Sequence, residues 1–260
     1  MEPQNQKDLN QLDFHQYEIK NNVFEKNGDN QNNETIEKIL ILDTETTGLD
    51  ENEDEVVEIG CILFHVPTKS ILSQLSFLFP VSSNNAEHVN GISAEVTNIS
   101  QPWKDGLSYF LKLVDCSDVI VAHNVAFDSK WFGKGRLPKL EKKWICSLED
   151  INWSSQKNLK TRPSVTDLAL SFSIPVWSLH RALSDCFYIS EVFKKCENLE
   201  ELLQRATQPR LLYKALVNYE ERSLAKNAGF MWNNPVHGAW SRRLTVEEAS
   251  QLPFRVEILN

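Results

Sequence analysis

The chain has 260 residues, 41% of them hydrophobic, and a formal net charge of −9, which provides enough apolar material for one large α/β domain with smaller attachments. The acidic balance argues against a protein that coats nucleic acid through bulk positive charge. No apolar run approaches the ~20 residues of a membrane helix, no apolar signal segment opens the chain, and the five cysteines are scattered, so we expect a cytoplasmic protein with free thiols and no membrane partner.

The first predicted segment is a polar arm over residues 1–36. It is rich in Asn, Gln and acidic residues and poor in apolar ones, as in the run Asn30–Asn33. Such a segment cannot bury enough apolar surface to offset the entropy that is lost when it becomes ordered. The sequence therefore predicts that this arm is mostly disordered.

Residues 37–198 show the pattern of an α/β domain. A continuous apolar run at 38–42 ends on a carboxylate and is typical of a central strand that is buried on both faces. In chain order the predicted elements are strands at 38–42, 56–66 and 71–79, a helix at 102–114, a strand at 119–122, a helix from 125, a strand near 144–146, a helix at 164–173 and a longer helix after residue 180. Together they predict an α/β fold in which a mixed β-sheet is flanked by α-helices.

Basic residues accumulate in the last segment, 199–260. Residues 205–245 contain seven Lys or Arg against two acidic residues. Helical spacing over 211–228 is followed by two short aromatic strands around an Asn-Pro turn. We therefore predict a separate, small accessory module that is built from a helix and a hairpin.

The sequence leaves two roles open for this module. It could be an auxiliary nucleic-acid surface in which Lys226, Arg242 and Arg243 contact phosphates and Trp232 or Trp240 stacks on bases. Alternatively, the two tryptophans form the core of a very small domain. We favour the core role for the tryptophans and leave the role of the basic residues open.

Two carboxylates end the first predicted strand, in the run Asp43–Leu49 (D-T-E-T-T-G-L). Side chains alternate in an extended chain, so Asp43 and Glu45 project to the same side. Two carboxylates beside a buried strand are unfavourable unless a cation lies between them, and Mg²⁺ or Mn²⁺ prefers oxygen ligands. The alternative is a solvated strand end with two acids, because acidic residues are frequent in this region.

A second group of polar residues follows the strand at 119–122. Asn124 stands at the predicted amino-terminal cap of a helix, and Asp128 lies four residues further, on the same face. Both would lie near the carboxyl end of the strand, where α/β sheets place ligands. The alternative is a structural cap with an acid that the helix dipole favours. We predict a structural role for His123, which would hold the turn.

The third group is His180 and Asp185. If both were helical, five steps of ~100° would place them ~140° apart, and they could not share a site. If His180 lies instead on the loop that enters the helix, both side chains can face one cleft. Asp185 would then add a carboxylate, and His180 could take a proton from water.

These three groups stand in the order and at the rough spacing of a known family, the DEDDh or DnaQ-like 3′–5′ exonucleases, which have an RNase H-like fold. The family motif D-x-E-T-T-G resembles Asp43–Gly48, H-N-x-x-F-D resembles His123–Asp128, and H-x-A-x-x-D resembles His180–Asp185. The resemblance covers about residues 39–193. The segment 88–93 is similar to a further family element, H-G-I-T, with Asn in place of the usual His at position 90.

The resemblance implies which residues form the site. Two divalent cations, Mg²⁺ or Mn²⁺, would be held by four carboxylates, with the aspartate of the second motif acting partly through water. His180 would deprotonate the attacking water, and nucleoside monophosphates would leave one at a time. The metal ligands, which with His180 form the predicted catalytic set, are Asp43, Glu45, Asp128 and Asp185. The predicted substrate contacts are Thr46, Thr47, Gly91, Ile92 and Asn124.

The sequence thus predicts a hydrolase that shortens single-stranded nucleic acid from its 3′ end, with DNA favoured over RNA and duplex 3′ ends left open. It neither indicates nor excludes a polymerase partner or a homo-oligomer, and proofreading, repair and degradation all stay open. The competing hypothesis is a non-catalytic nucleic-acid-binding or polymerase-accessory subunit on the same fold. The intact set of four acids and a histidine favours the enzyme, because a binding module has no need for them.

Overall fold

The computed structural model of the chain describes residues 35–153 and 159–259. The predicted disordered arm over 1–36 lies outside the described residues except for its last two, of which Ile36 is buried in a hydrophobic core. Within the described ranges no helix has both the length and the apolar character needed to cross a membrane.

A five-stranded sheet forms the centre of the first domain. The strands are β1 (Lys38–Thr46), β2 (Val56–His65), β3 (Ser70–Leu78), β4 (Val119–Ala122) and β5 (Lys143–Cys146), in the order β3-β2-β1-β4-β5. The pairs β1–β2 and β2–β3 are antiparallel, whereas β4 runs parallel to β1 and β5 runs parallel to β4. The mixed sheet predicted from the sequence is therefore confirmed.

The apolar run in β1 supplies side chains to both faces of the sheet. Ile39 and Ile41 belong to one hydrophobic core, and Leu40 and Leu42 belong to the core on the opposite face. Burial on both faces explains why this strand is continuously apolar rather than alternating. A strand fixed in this way gives a rigid position to the side chains at its carboxyl end.

Helices cover the two faces of this sheet. The helices of the first domain are α1 (Glu87–Asn90), α2 (Ala94–Thr97), α3 (Trp103–Cys116), α4 (Val125–Asp128), α5 (Val165–Ser171), α6 (Ala182–Lys195) and α7 (Leu199–Ala206), with a 3-10 turn at Ser129–Trp131. Helix α6 approaches β2 very closely, since a Cβ added to Gly60 would lie 2.2 Å from the backbone nitrogen of Leu183. Only glycine permits this approach, which fixes the first turns of α6 against the sheet.

The carboxyl-terminal module contains a second, four-stranded sheet. Its elements are β6 (Leu211–Ala215), α8 (Arg222–Asn227), β7 (Met231–Trp232), β8 (Trp240–Leu244), α9 (Val246–Ser250) and β9 (Val256–Leu259), with strand order β7-β8-β6-β9. The predicted hairpin of two short strands is confirmed by the antiparallel pairing of β7 with β8. The prediction of helix from residue 211 is wrong, because β6 pairs with β8 on one side and β9 on the other.

Two further expectations for this region differ from the structure. Trp240 packs against the small core of the module, but Trp232 is 52% exposed, so the prediction that both form the core is wrong for Trp232. Helix α7 carries Leu199 and Leu203 into a core of the first domain. We therefore propose that the module begins near β6 rather than at residue 199, where the sequence pattern places the boundary.

Candidate active site

The carboxyl end of β1 supplies the first two acidic side chains. Asp43 and Glu45, two residues apart on the strand, both line a cleft of about 600 Å³. Asp185, on the first turns of α6, lines the same cleft. One carboxylate oxygen from each of these three residues lies within 4.8 Å of the others. The structure therefore brings acids together from two segments that are far apart in sequence.

His180 precedes α6 and is not part of it. The helix begins at Ala182, and His180 has a left-handed backbone conformation with φ 57°. The placement of His180 on the entry loop, with Asp185 on the helix, is thus confirmed, and both residues line the cleft.

An ion pair between a buried glutamate and a partly exposed arginine anchors the loop that carries His180. Arg181 donates from Nε and Nη2 to the two oxygens of Glu58, at 2.9 and 3.0 Å. Glu58 also accepts from the backbone N–H of Ala182 at 3.2 Å and from Ser76 Oγ at 2.6 Å. Because Glu58 lies on β2, this network ties the start of α6 to the sheet. The sequence motifs gave no signal for Glu58, because it is one of many acids in its region.

Asp128 reaches the cleft from the other side of β1. Strand β4 is parallel to β1, so the segment that follows β4 lies at the same edge as Asp43. Asp128 is buried, and its Oδ1 accepts from the backbone N–H of Thr44 at 3.0 Å and from Thr44 Oγ1 at 2.8 Å. It lines the same cleft but is outside the three-residue cluster.

Asn124 and His123 connect β4 to α4. Asn124 occupies the amino-terminal cap position, as predicted, but its side chain makes no capping hydrogen bond and it lines the cleft. His123 donates from Nε2 to the carbonyl of Pro163 at 2.9 Å, so its Nδ1 accepts from Ser147 Oγ at 2.9 Å. Burial lowers the pKa of His123 to about 4, which keeps the ring neutral. Its structural role in the turn is confirmed.

The electrostatics of the cleft favour protonated acids. Burial, followed by repulsion from neighbouring carboxylates, raises the pKa of Asp43 well above its ordinary value and that of Glu45 to about 8. Burial also raises the pKa of Asp128 to about 7 and that of Asp185 to about 6. Because the pKa values of all four acids are raised, the ionised carboxylates in this cleft lack compensating positive charge.

The donor set fits a hard divalent cation. Asp185 Oδ1 is buried and has no hydrogen-bond partner among the described residues, although a buried carboxylate oxygen is normally paired. The oxygens of Asp43 and Glu45 lie close to it. All ligands are carboxylate oxygens, which suit Mg²⁺ or Mn²⁺ better than softer metals. A cation would complete the bonding of the orphaned oxygen and remove the repulsion.

The predicted substrate contacts divide into two groups. Thr46 and Thr47 line the cleft, but their hydroxyls bond inside the loop, to Gly48 O at 2.6 Å and to Asp54 Oδ1 at 3.2 Å. Gly91 and Ile92 are not among the described residues that line the cleft.

The placement of Gly91 and Ile92 has a physical cause. Ile92 is buried in a small core with Val57 and Val81, and Gly91, with φ 67°, ends α1. The prediction that these two residues contact the substrate therefore finds no support in the geometry. Their neighbour Asn90 donates to Thr46 O at 3.1 Å and accepts from Ile92 N at 3.1 Å, which links this segment to the loop after β1.

Sequence reasoning missed an apolar rim around the cleft. Leu49, Val89 and Leu179 line it and are 77%, 47% and 39% exposed. Phe127 adds a partly buried ring. The sequence feature that could have predicted this rim is Leu49, an apolar residue in an otherwise polar, acidic loop. Exposed apolar side chains beside a polar site are suited to contact the faces of bases.

Known proteins resemble this chain in sequence and fold. The family model described as Exonuclease matches residues 40–193, and the model described as Domain of unknown function (DUF8626) matches residues 211–259. "DNA polymerase III PolC-type" of Thermotoga petrophila is 29% identical over 174 residues, which cover 59% of this chain and 11% of that protein. "DNA polymerase III subunit epsilon" of Rickettsia prowazekii is 31% identical over 168 residues, covering 59% of this chain and 71% of that protein. The solved structure "Exonuclease X in complex with 5′ overhanging duplex DNA" has a TM-score of 0.50 at 23% identity, covering 65% of this chain and 99% of that one.

The fold and the site define an RNase H-like domain with a carboxylate cluster at the end of its central strand. The Exonuclease model spans more than half of the chain. The protein therefore belongs to the Exonuclease family, and its relatives and fold place it among the DnaQ-like members of the RNase H-like superfamily. The resemblance seen in the three motifs is confirmed. The chain spans only about a tenth of the length of the PolC-type relatives that it matches, 11% in the case of Thermotoga petrophila.

Proposed function

We propose that the protein is a divalent-metal-dependent 3′–5′ exonuclease that releases nucleoside monophosphates from single-stranded DNA. The observation that carries this proposal is the convergence of Asp43, Glu45 and Asp185 within 4.8 Å in a cleft that also holds Asp128 and His180. A structural acidic patch would be fully solvated or paired with basic residues, whereas these acids are partly buried and repel one another.

Each acidic side chain has a distinct part in the proposal. Asp43, Glu45 and Asp185 would hold one divalent cation, and Asp43 with Asp128 would hold a second, both Mg²⁺ or Mn²⁺. Bound cations supply positive charge that offsets the carboxylates and attracts the phosphate of the substrate. Thr44 keeps Asp128 oriented through its two hydrogen bonds.

His180 is the proposed general base. It is exposed, lies on a loop at the mouth of the cleft, and follows Leu179 on the apolar rim. In this position its ring can take the proton of a water that attacks phosphorus, while the bond to the 3′ oxygen breaks. The Arg181–Glu58 ion pair restrains the loop, so that the ring is presented to the cleft rather than to bulk water.

The cleft suits the end of a single strand. Its volume of about 600 Å³ is of the size that accommodates a small ligand such as one nucleotide. Leu49, Val89 and Leu179 offer apolar contacts that do not depend on base identity. DNA is favoured over RNA because the two relatives in sequence are named as DNA polymerase components.

The decisive experiment is digestion of 5′-labelled single-stranded DNA in the presence of Mg²⁺, Mn²⁺ or EDTA. We expect a ladder that shortens from the 3′ end with either metal and no products in EDTA. Asp43→Asn should abolish the ladder, whereas Asp115→Asn, which makes the same chemical change on an exposed helix end, should not. Matched RNA and duplex substrates determine the preference. Wild-type activity in Asp43→Asn would overturn the assignment of the site.

The competing proposal is a non-catalytic subunit that binds nucleic acid or a polymerase. The similarity to a DNA polymerase subunit is the observation that favours this competing proposal. It predicts strand binding without any product in either metal. The same digestion experiment, followed by a binding measurement with the same labelled strand, separates the two proposals.

A further inference from the structure

A second cavity lies between the exonuclease sheet and the carboxyl-terminal module. Its volume is about 560 Å³, and its walls come from both parts of the chain, including α4, β5, β6 and β8. Five basic residues line it against two acidic ones, which contrasts with the acidic cleft. The basic residues are Lys143, Arg162, Arg210, Arg242 and Arg243.

Two of the arginines already have acidic partners. Arg162 pairs with Glu149. Arg210 donates to both oxygens of Glu248, at 2.6 and 2.8 Å, and its Nε lies 3.0 Å from Asp150 Oδ1. These pairs use both acidic residues of the lining. The remaining three basic residues therefore leave the cavity with surplus positive charge.

Arg242 is the central basic residue that has no acidic partner among the described residues. Its Nη1 donates to the carbonyl of Ala228 at 2.5 Å, and its buried Nε has no hydrogen-bond partner among the described residues. No described carboxylate lies within ion-pair distance of it. Gly229 makes room for this side chain, because a Cβ there would lie 3.1 Å from Arg242 Nη1 and 2.7 Å from Thr161 Cγ2. A buried guanidinium without an anion is unfavourable unless a ligand supplies one.

The basic cavity adjoins the candidate active site. Asn124 lines both, and Val125 and Ala126, the next two residues of the chain, line the basic cavity. The two spaces therefore lie on either side of the first turn of α4. A strand whose 3′ end occupies the acidic cleft can reach the basic cavity with a nearby phosphate. Trp144 and Met231 provide apolar wall against which a base or sugar can pack.

We propose that this cavity binds a phosphate of a nucleotide, with Arg242 as its central ligand and Lys143 and Arg243 adding positive charge. The shared chemistry is a phosphate group carried by a nucleotide, and the source is either an internal phosphate of the bound strand or a free nucleoside monophosphate. The strand assignment rests on the proposed exonuclease function. Such a site explains why the module keeps a partly buried arginine whose Nε has no hydrogen-bond partner among the described residues.

The test is strand binding by the full chain in EDTA, where no hydrolysis occurs, measured by fluorescence anisotropy. Arg242→Met removes the charge and keeps the length of the side chain, and we expect it to weaken binding of a long oligothymidylate about tenfold. Arg255→Met makes the same change at an exposed position outside the cavity and is expected to have little effect. Equal binding by the two variants, both of the strand and of thymidine monophosphate, would overturn the proposal.

Two further arms identify the source of the phosphate. If the ligand is an internal phosphate, a dinucleotide should bind Arg242→Met and wild type alike. If it is a free nucleotide, thymidine monophosphate should bind wild type more tightly than Arg242→Met. Competition by inorganic phosphate alone, with no effect of Arg242→Met on any nucleotide, would contradict the nucleotide assignment. Because binding is read in EDTA, an inactive but Arg242-dependent protein would refute the exonuclease proposal and leave this one standing.

Stability distinguishes a binding role from a structural one. If Arg242 is held for a ligand, Arg242→Met should melt at the same temperature as wild type or above it, since an uncompensated buried charge is removed. A lower melting temperature with unchanged binding would show a structural arginine and overturn the proposal. Should Arg242→Met fail to fold, the double variant Lys143→Met/Arg243→Met, which changes two exposed residues, is expected to weaken strand binding. Wild-type binding by that double variant would overturn the proposal.

Discussion

Glu45→Gln tests the electrostatic account of the site most directly. Burial, followed by repulsion from Asp185, raises the pKa of Glu45 from 4.5 to about 8. Glutamine keeps the shape of the side chain and removes its charge. If the acids repel one another in the absence of a cation, the variant should be more stable than wild type in EDTA and nearly inactive with metal. These two effects have opposite sign, which few structural defects would produce.

The magnitude follows from the displaced pKa. Between pH 4.5 and about 8 the folded state holds a proton on Glu45 that the unfolded chain has lost, so the stability of the cation-free protein falls as the pH rises through this window. At roughly 1.4 kcal/mol per pH unit the full window amounts to about 5 kcal/mol. Glu45 is partly exposed, so solvent screening reduces this figure, and we expect glutamine to add about 1–2 kcal/mol to the free energy of unfolding at pH 8.

Thermal denaturation in EDTA at pH 8 and pH 5 measures this difference. For a domain of this size the expected gain at pH 8 is about 2–8 °C, and it should shrink towards zero at pH 5, where Glu45 is protonated in wild type. Mn²⁺ should raise the melting temperature of wild type more than that of the variant. Glu53→Gln, which makes the same change at an exposed position, should show neither effect.

One result would refute this reasoning. If Glu45→Gln melts below wild type in EDTA at pH 8, the carboxylate is stabilising in the absence of a cation, and the cleft does not contain unrelieved repulsion. If Glu45→Gln instead melts like Glu53→Gln in all conditions, the carboxylate of Glu45 is not under repulsion either. Loss of activity in Glu45→Gln would not by itself demonstrate repulsion, because the loss of a contact with the substrate would also lower activity.

Three further variants test the parts that position the site. His180→Gln should lower kcat about 10²–10⁴-fold in the digestion assay while the Mn²⁺-induced rise in melting temperature is kept, and a negligible loss would move the general-base role elsewhere. Glu58→Gln breaks the bidentate pair with Arg181 and should lower the free energy of unfolding by about 1 kcal/mol, because the Arg181 side chain is 44% exposed and solvent screens its charge. We expect kcat to fall as well, and an unchanged kcat would show that the pair does not position the loop. Gly60→Ala would place Cβ 2.2 Å from the nitrogen of Leu183, and a melting curve like that of wild type would contradict the close approach of α6 to the sheet.

The sequence predicted the sheet because its strands carry local signals. Strands β1, β2 and β4 are apolar runs with clear ends, and the structure places them within a few residues of the predicted bounds. Residues Leu211–Ala215 gave the opposite result, since Leu, Lys and Ala favour helix while the segment forms β6. Its conformation depends on partners from β8 and β9, which come later in the chain and are invisible to local spacing.

The site was predictable where chemistry and geometry are local. Alternation along β1 was enough to place Asp43 and Glu45 on one side, and the spacing of His180 and Asp185 required a loop before the helix. The roles of Glu58 and Arg242 were not predictable, because each depends on tertiary contacts. Glu58 acts through a residue more than a hundred positions away, Arg181. Arg242 is unusual because its buried Nε has no hydrogen-bond partner among residues 35–153 and 159–259, which only the folded structure reveals.

The two charged cavities, taken with the two proposals, explain how an acidic chain can act on a polyanion. Among the described residues, the cleft at the end of β1 is lined by carboxylates without Lys or Arg, and the cavity around Arg242 has more basic than acidic side chains, while Asn124 borders both. Divalent cations and a phosphodiester strand satisfy both requirements at once, and neither ligand does so alone. The overall charge of −9 then disfavours non-specific binding of nucleic acid, so affinity is confined to strands that reach both sites. Added salt should therefore weaken the binding of long strands through the Arg242 cavity while it leaves cleavage of a dinucleotide nearly unchanged.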